Sequence, residues 1–126
     1  RLVEMGPAEH DRRMGLVLGL THLANLVFAR ALVHSGVGAA ELGEVAGVTF
    51  GRQMATTREV ASENPSLYYE IQALNELTPE TGRWLRTALD EWLEAVERPD
   101  HGRFAELMVS CRSSPTVQMR SPSRRA

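Results

Sequence analysis

From Met14 to Val33 apolar side chains fill almost every position, and the only strongly polar residues are Thr21, His22, Asn25 and Arg30. Apolar residues on every face, rather than in one stripe, mark a helix enclosed on all sides. Upstream, Gly6-Pro7 followed by Glu9 and Asp11 reads as a helix start, because proline is tolerated at the first helical position and acids suit the first turn. No breaker follows until Ser35-Gly36, so the pattern predicts one helix of roughly thirty residues. Gly15 and Gly19 lie four apart on one face of it. Each costs roughly 1 kcal/mol relative to alanine in a helix interior, which points to a second helix crossing closely there.

The rest of the chain is punctuated as further helices. After Gly36-Val37-Gly38 comes a short piece from Ala39 to Val45, then a turn at Gly47 and Gly51 around Phe50, then a helix from Arg52 to Glu63. Asn64-Pro65 restarts the helix, with Leu67, Ile71 and Leu74 as its apolar stripe. Thr78-Pro79-Glu80 opens the next one, with Thr78 as cap. It continues through Leu85, Ala88, Leu89, Trp92, Leu93 and Val96 at helical spacing, with Arg86 to Asp90 and Glu94 to Arg98 as solvated pairs, and ends before Pro99. A last short helix runs from Asp100 to Cys111 through Phe104, Leu107 and Met108. From Arg112 onward Ser, Pro and Arg dominate without periodicity. The expected organisation is an all-α domain over 1–111 and a disordered tail over 112–126, with no strand, repeat or heptad run.

The chain has 126 residues, 43% apolar and 24% charged, which suits one globular domain with a modest core. Such a domain cannot cover the first long helix on every face. The expectation is therefore an intertwined homodimer in which that helix is buried. The helix also has the length of a membrane span, but His22, Asn25 and Arg30 would each be costly in lipid, which excludes a membrane partner. Residues 1–111 carry 10 Arg against all 16 acidic residues, a net charge of −6 that makes a poor nucleic-acid platform. The lone Cys111 cannot form an internal disulfide and no secretion signal is present, so the cytoplasm is the expected location. Arg1 stands where a start Met would, and the chain reads as a piece of something longer.

No glycine-rich phosphate loop, zinc-ligand spacing or nucleophile elbow occurs, so neither a catalytic residue nor a metal site is expected in this chain. Of the histidines at 10, 22, 34 and 101, only His22 sits in strongly apolar surroundings. Either it hydrogen-bonds Asn25 or a backbone carbonyl, as buried histidines commonly do, or it faces a ligand. Arg30, Arg52 and Arg58 are cations among apolar neighbours, and an arginine fork matches a carboxylate. Of the adjacent rings of Tyr68 and Tyr69, one should face the core and the other an interface or cleft.

Three segments in order, Pro7-Ala8-Glu9-His10-Asp11-Arg12, Gly19-Leu20-Thr21-His22-Leu23 and Glu63-Asn64-Pro65-Ser66-Leu67-Tyr68-Tyr69-Glu70-Ile71, resemble the C-terminal helical domain of prephenate dehydrogenase over roughly residues 4 to 110. The resemblance implies that the full-length enzyme binds NAD or NADP through an N-terminal Rossmann domain, which also holds the catalytic Ser and His. It implies that the helical domain dimerises and closes over prephenate, which is oxidatively decarboxylated to 4-hydroxyphenylpyruvate for tyrosine synthesis. His22 matches the family's pocket histidine, and Tyr68 the aromatic after the proline. The family's carboxylate-binding Arg stands six residues before that proline, where this chain has Glu59 and places Arg58 one residue earlier. With the cations read above, the expected substrate-binding set is His22, Arg58, Tyr68 and Arg52, with His22 and Arg58 receiving the carboxylates, since a dianion in an apolar pocket must meet cations or strong donors. Arogenate is a second candidate substrate, since its ammonium would suit Glu59, and a non-catalytic helical dimerisation module is a third reading.

Overall fold

The computed structural model describes residues 4–118, and every element in them is helical. Six helices follow one another: α1 (Pro7–Ser35), α2 (Ala39–Val45), α3 (Val48–Ser62), α4 (Pro65–Ala73), α5 (Thr78–Glu97) and α6 (His101–Ser113). The chain divides into two compact units, with the boundary at Arg83 inside α5.

α1 starts on Pro7 behind an extended Gly6, and an ion pair between Glu9 and Arg13 supports its first turns. It stops at Gly36, whose φ of 71° is the left-handed conformation that glycine adopts without a Cβ clash. Within it, Gly15–Leu20 is π-helical. The helix is long and apolar enough to cross a membrane. Its own chain buries only Gly15, Gly19 and Asn25, while Val17, Val27 and Val33 are more than half exposed. The enclosure expected for this helix is thus not supplied within one chain.

α3 is the main partner of α1. Phe28 meets Phe50 edge to face at 6.3 Å, and Thr57 and Val60 are buried on the inner side of α3. The expected turn around Phe50 is instead the first part of α3, which begins at Val48 behind an extended Gly47. The roughly 1 kcal/mol that Gly51 costs a helix is small beside the contacts that α3 makes with α1.

α4 has the cap that its sequence announces: the Asn64 side chain accepts from the Ser66 N–H at 2.9 Å, with Pro65 as first residue. At α5 the expected cap is displaced. Leu77 offers the first carbonyl, to the Thr81 N–H at 3.0 Å, while the Thr78 hydroxyl donates back to the Gln72 carbonyl at 2.6 Å.

In the second unit Ala95 and Leu107 are buried and Trp92 meets Phe104 edge to face at 5.0 Å. Asp100 caps α6 by accepting from the Arg103 N–H at 2.9 Å. Glu94 and Arg98 pair at 3.3 Å, and no ion pair joins Arg86 to Asp90 among the described residues. Arg112 and Ser113 extend α6, and a turn follows in which the Val117 and Gln118 N–H groups donate to the Ser114 carbonyl. The rest of the expected tail, 119–126, lies outside the described residues.

Candidate functional site

The site is built where α4 crosses the first half of α1. At one of the two glycines that approach depends on the missing side chain. A Cβ on Gly15 would stand 2.9 Å from Cδ2 of Leu77 and 3.2 Å from Oδ1 of Asn75, and one on Gly19 would only touch the Gln72 amide at 3.8 Å. The close approach expected at the two glycines is present at Gly15, against the turn that follows α4 rather than against a helix, and Gly19 leaves room for a methyl group.

Side-chain amides then tie the two segments together. Gln72 Nε2 donates to the Gly19 carbonyl at 2.9 Å, and Asn75 Nδ2 donates to the Asp11 carbonyl at 2.9 Å. Asn75 Oδ1 in turn accepts from the Leu77 N–H at 2.8 Å, which fixes the turn into α5. One turn along α4 from Gln72, the Tyr68 ring lies flat on the His22 imidazole, with centroids 4.2 Å apart and planes 12° from parallel. Tyr69 points elsewhere and is 71% exposed.

His22 does not hydrogen-bond Asn25. Asn25 Nδ2 donates to the Thr21 carbonyl at 2.9 Å, and its Oδ1 accepts from Gln53 Nε2 at 2.9 Å and from the Thr57 hydroxyl at 3.2 Å. With Asn25 occupied between α1 and α3, Nδ1 of His22 is buried and has no partner among the described residues. A buried ring nitrogen without a partner is uncommon in folded proteins.

The structure brings His22 and Tyr68 together. Arg58 lines a separate cavity of about 190 Å³ with Leu42, Phe50 and Met54, and neither His22 nor Tyr68 lines it. α3 is regular through Ser62, so Arg58 and Glu59 diverge by about 100°. Arg52 and Arg58 are exposed, and neither has a carboxylate within ion-pair distance among the described residues. A larger cavity, about 310 Å³, lies in the second unit between Glu91, Glu94, Arg98, Asp100 and Arg103. Its charges already serve one another: Arg103 pairs with Glu91 at 3.4 Å, and Asp100 caps α6.

Gln53, Thr57, Gln72 and Asn75 had no visible signal in the sequence, apart from Gln72 standing four residues after Tyr68. Any of the four could equally have been a solvated polar residue.

An all-helical domain whose long apolar helix is left uncovered by its own chain is of the class that pairs with another surface. The family can be stated as well. The chain belongs to the prephenate dehydrogenase dimerization-domain family, whose model matches residues 6–110. It is 31% identical over 112 residues to a 4-amino-4-deoxyprephenate dehydrogenase of Streptomyces pristinaespiralis, covering 89% of this chain and 38% of that protein. It is 28% identical over 108 residues to a probable arogenate/prephenate dehydrogenase of Methanocaldococcus jannaschii, covering 86% of this chain and 24% of that protein. The chain thus spans well under half the length of these relatives. No solved structure matches it.

Proposed function

We propose that this chain is the dimerising, substrate-side domain of a cytoplasmic NAD(P)-dependent dehydrogenase that acts on prephenate or a close analogue. The observation that carries the reading is His22, held flat against Tyr68 with a buried ring nitrogen that has no partner among the described residues. The family match supports the same assignment. Stacking fixes the plane of the imidazole, so a substrate group meets a ring already held in that plane, and less freedom is lost on binding. The nucleotide would supply the hydride acceptor. The described residues contain neither a strand nor a glycine-rich strand-to-helix turn, so they do not fit a dinucleotide, and its binding is assigned to a Rossmann domain elsewhere in the enzyme.

The dimer follows from the exposed apolar face of α1. An interface that hides Val17, Val27 and Val33 from two copies would be of the obligate kind, commonly above about 2,000 Å² in total. Light scattering should return twice the 14.0 kDa chain mass at micromolar concentration, and a value of one chain mass would overturn this reading.

The substrate is a dianion, and an unpaired charge in an apolar pocket costs several kcal/mol. His22 and Arg58 are the groups proposed to receive it. Arg58 lies outside the His22–Tyr68 contact, so it would act on a different part of the substrate or from the partner copy. In the complete enzyme Arg58→Ala should raise the prephenate KM roughly tenfold or more, and His22→Asn by less. A change within about twofold for Arg58→Ala would move the anchor to Arg52, Arg30 or another residue. The name of the Streptomyces relative supports a second reading in which the substrate carries an amino group, and that of the Methanocaldococcus relative allows either. Comparing kcat/KM for prephenate, arogenate and 4-amino-4-deoxyprephenate decides between the readings.

A further inference from the structure

We propose that Gln72 is a positioning residue that sets the rotational phase of α1 and so places the His22 ring on Tyr68. The inference rests on the reading above only for its kinetic arm.

The argument starts from helix geometry. A four-residue step along an α-helix turns about 40° past a full circle, so contacts repeated at Asp11, Gly15 and Gly19 would drift around α1 by about 80°. The segment from α4 into α5 nevertheless meets all three positions: Asn75 on the Asp11 carbonyl, Leu77 over Gly15, and Gln72 on the Gly19 carbonyl. The π-helical turn between Gly15 and Leu20 makes this possible. A turn closed from i to i+5 takes more residues, which cancels much of the drift. Relaxing that segment to a plain α-helix would amount to removing one residue from the turn, and His22 would swing by about 100° relative to Asp11.

Two contacts hold the far end of the π turn in phase. Tyr68 and Gln72 are four apart on α4 and share a face, and Gly19 and His22 are three apart on α1 and share a face. Of these contacts, the Tyr68 stack lacks directional bonding and leaves the ring free to slide. The Gln72 amide bond to a backbone carbonyl is directional. Space does not explain the contact, because a Cβ on Gly19 would still clear the amide at 3.8 Å. The donor is therefore the element that matters.

Proton NMR of the 126-residue chain reads this directly. Stacking on Tyr68 displaces the His22 ring-proton resonances upfield, and with four histidines in the chain a His22→Gln spectrum assigns them. Gln72→Met keeps the side-chain length and Gln72→Glu keeps its shape, and both remove the donor. Each should lose most of the upfield displacement, approaching a Tyr68→Leu reference, with helical content by circular dichroism retained. Gly19→Ala should keep the displacement. An unchanged displacement in the folded Gln72 variants overturns the proposal, even if their Tm falls, since that pattern is a merely structural role. Should one variant fail to fold, the other decides.

In the complete enzyme the same variants should raise the substrate KM roughly tenfold with a smaller change in kcat, because orientation is lost before contact. If the stack is lost and KM is unmoved, Gln72 still positions His22, and the assignment of His22 to substrate falls instead. If KM rises and the stack is intact, the positioning role is the part that falls.

Discussion

The residues from Pro7 to Arg83 and those from Trp84 to Ser113 are helical alike, yet different contacts hold them together. In the first unit, side-chain amides reach across long stretches of sequence. Gln53 donates to Asn25, Gln72 to the Gly19 carbonyl and Asn75 to the Asp11 carbonyl. In the second, the contacts are apolar or exposed: Trp92 against Phe104, Leu107 and Ala95 buried, and Arg103 paired with a half-exposed Glu91. Apolar contacts scale with area and tolerate small rotations, whereas an amide bonded to one carbonyl specifies a direction. The first unit is therefore suited to holding a side chain such as His22 in one orientation, and the second to adding stability.

The comparison can be broken by substitution. The largest effect is expected at Leu107, 7% exposed, where Leu107→Ala should cost about 2 to 5 kcal/mol by thermal or denaturant unfolding. A loss below about 1 kcal/mol would mean that this core can collapse around the cavity or carries little of the stability.

Asn25→Ala comes next, because it strips the acceptor from Gln53 and Thr57 in a buried setting and should cost about 1 to 3 kcal/mol. If denaturant melts show no change, the amide network does not hold α1 to α3 and the contrast between the units fails.

The smallest effect has a sign that sharpens the contrast. Gly15→Ala gains helix propensity worth about 1 kcal/mol, but places a methyl group against Leu77 and Asn75, an overpacking cost of about 1 to 3 kcal/mol. A net loss near 1 kcal/mol is expected. Gly51→Ala, with nothing within 4 Å, should instead stabilise by about 0.5 to 1 kcal/mol. Parallel thermal melts in which both variants gain would show that the crossing at Gly15 is loose.

Much of the architecture was legible before any tertiary contact was known, since local signals carried it. Pro7, Gly36, Asn64-Pro65 and Asp100 mark helix ends through their own backbone and capping chemistry, and the observed ends fall there. The start of α3 is not legible locally, because Gly47 and Gly51 are both turn residues in isolation and only packing against α1 decides that Gly51 lies inside a helix. The candidate site was half legible. His22 stood out as a polar group in an apolar run, and Tyr68 as an aromatic next to a helix restart, but nothing in their spacing says that the two rings stack.

Sequence alone determined the helical class, the order of the helices and the excess of apolar surface on α1, because each depends on residues near one another along the chain. The family resemblance was legible there too, in three short segments that keep their order. The tertiary structure alone decided the π-helical turn at Gly15–Leu20, the commitment of Asn25 to Gln53 and Thr57, and the pairing of His22 with Tyr68. The physical reason is that a hydrogen bond or stack between groups 28 to 53 residues apart is set by the relative phase of two helices. A local pattern contains no record of that phase.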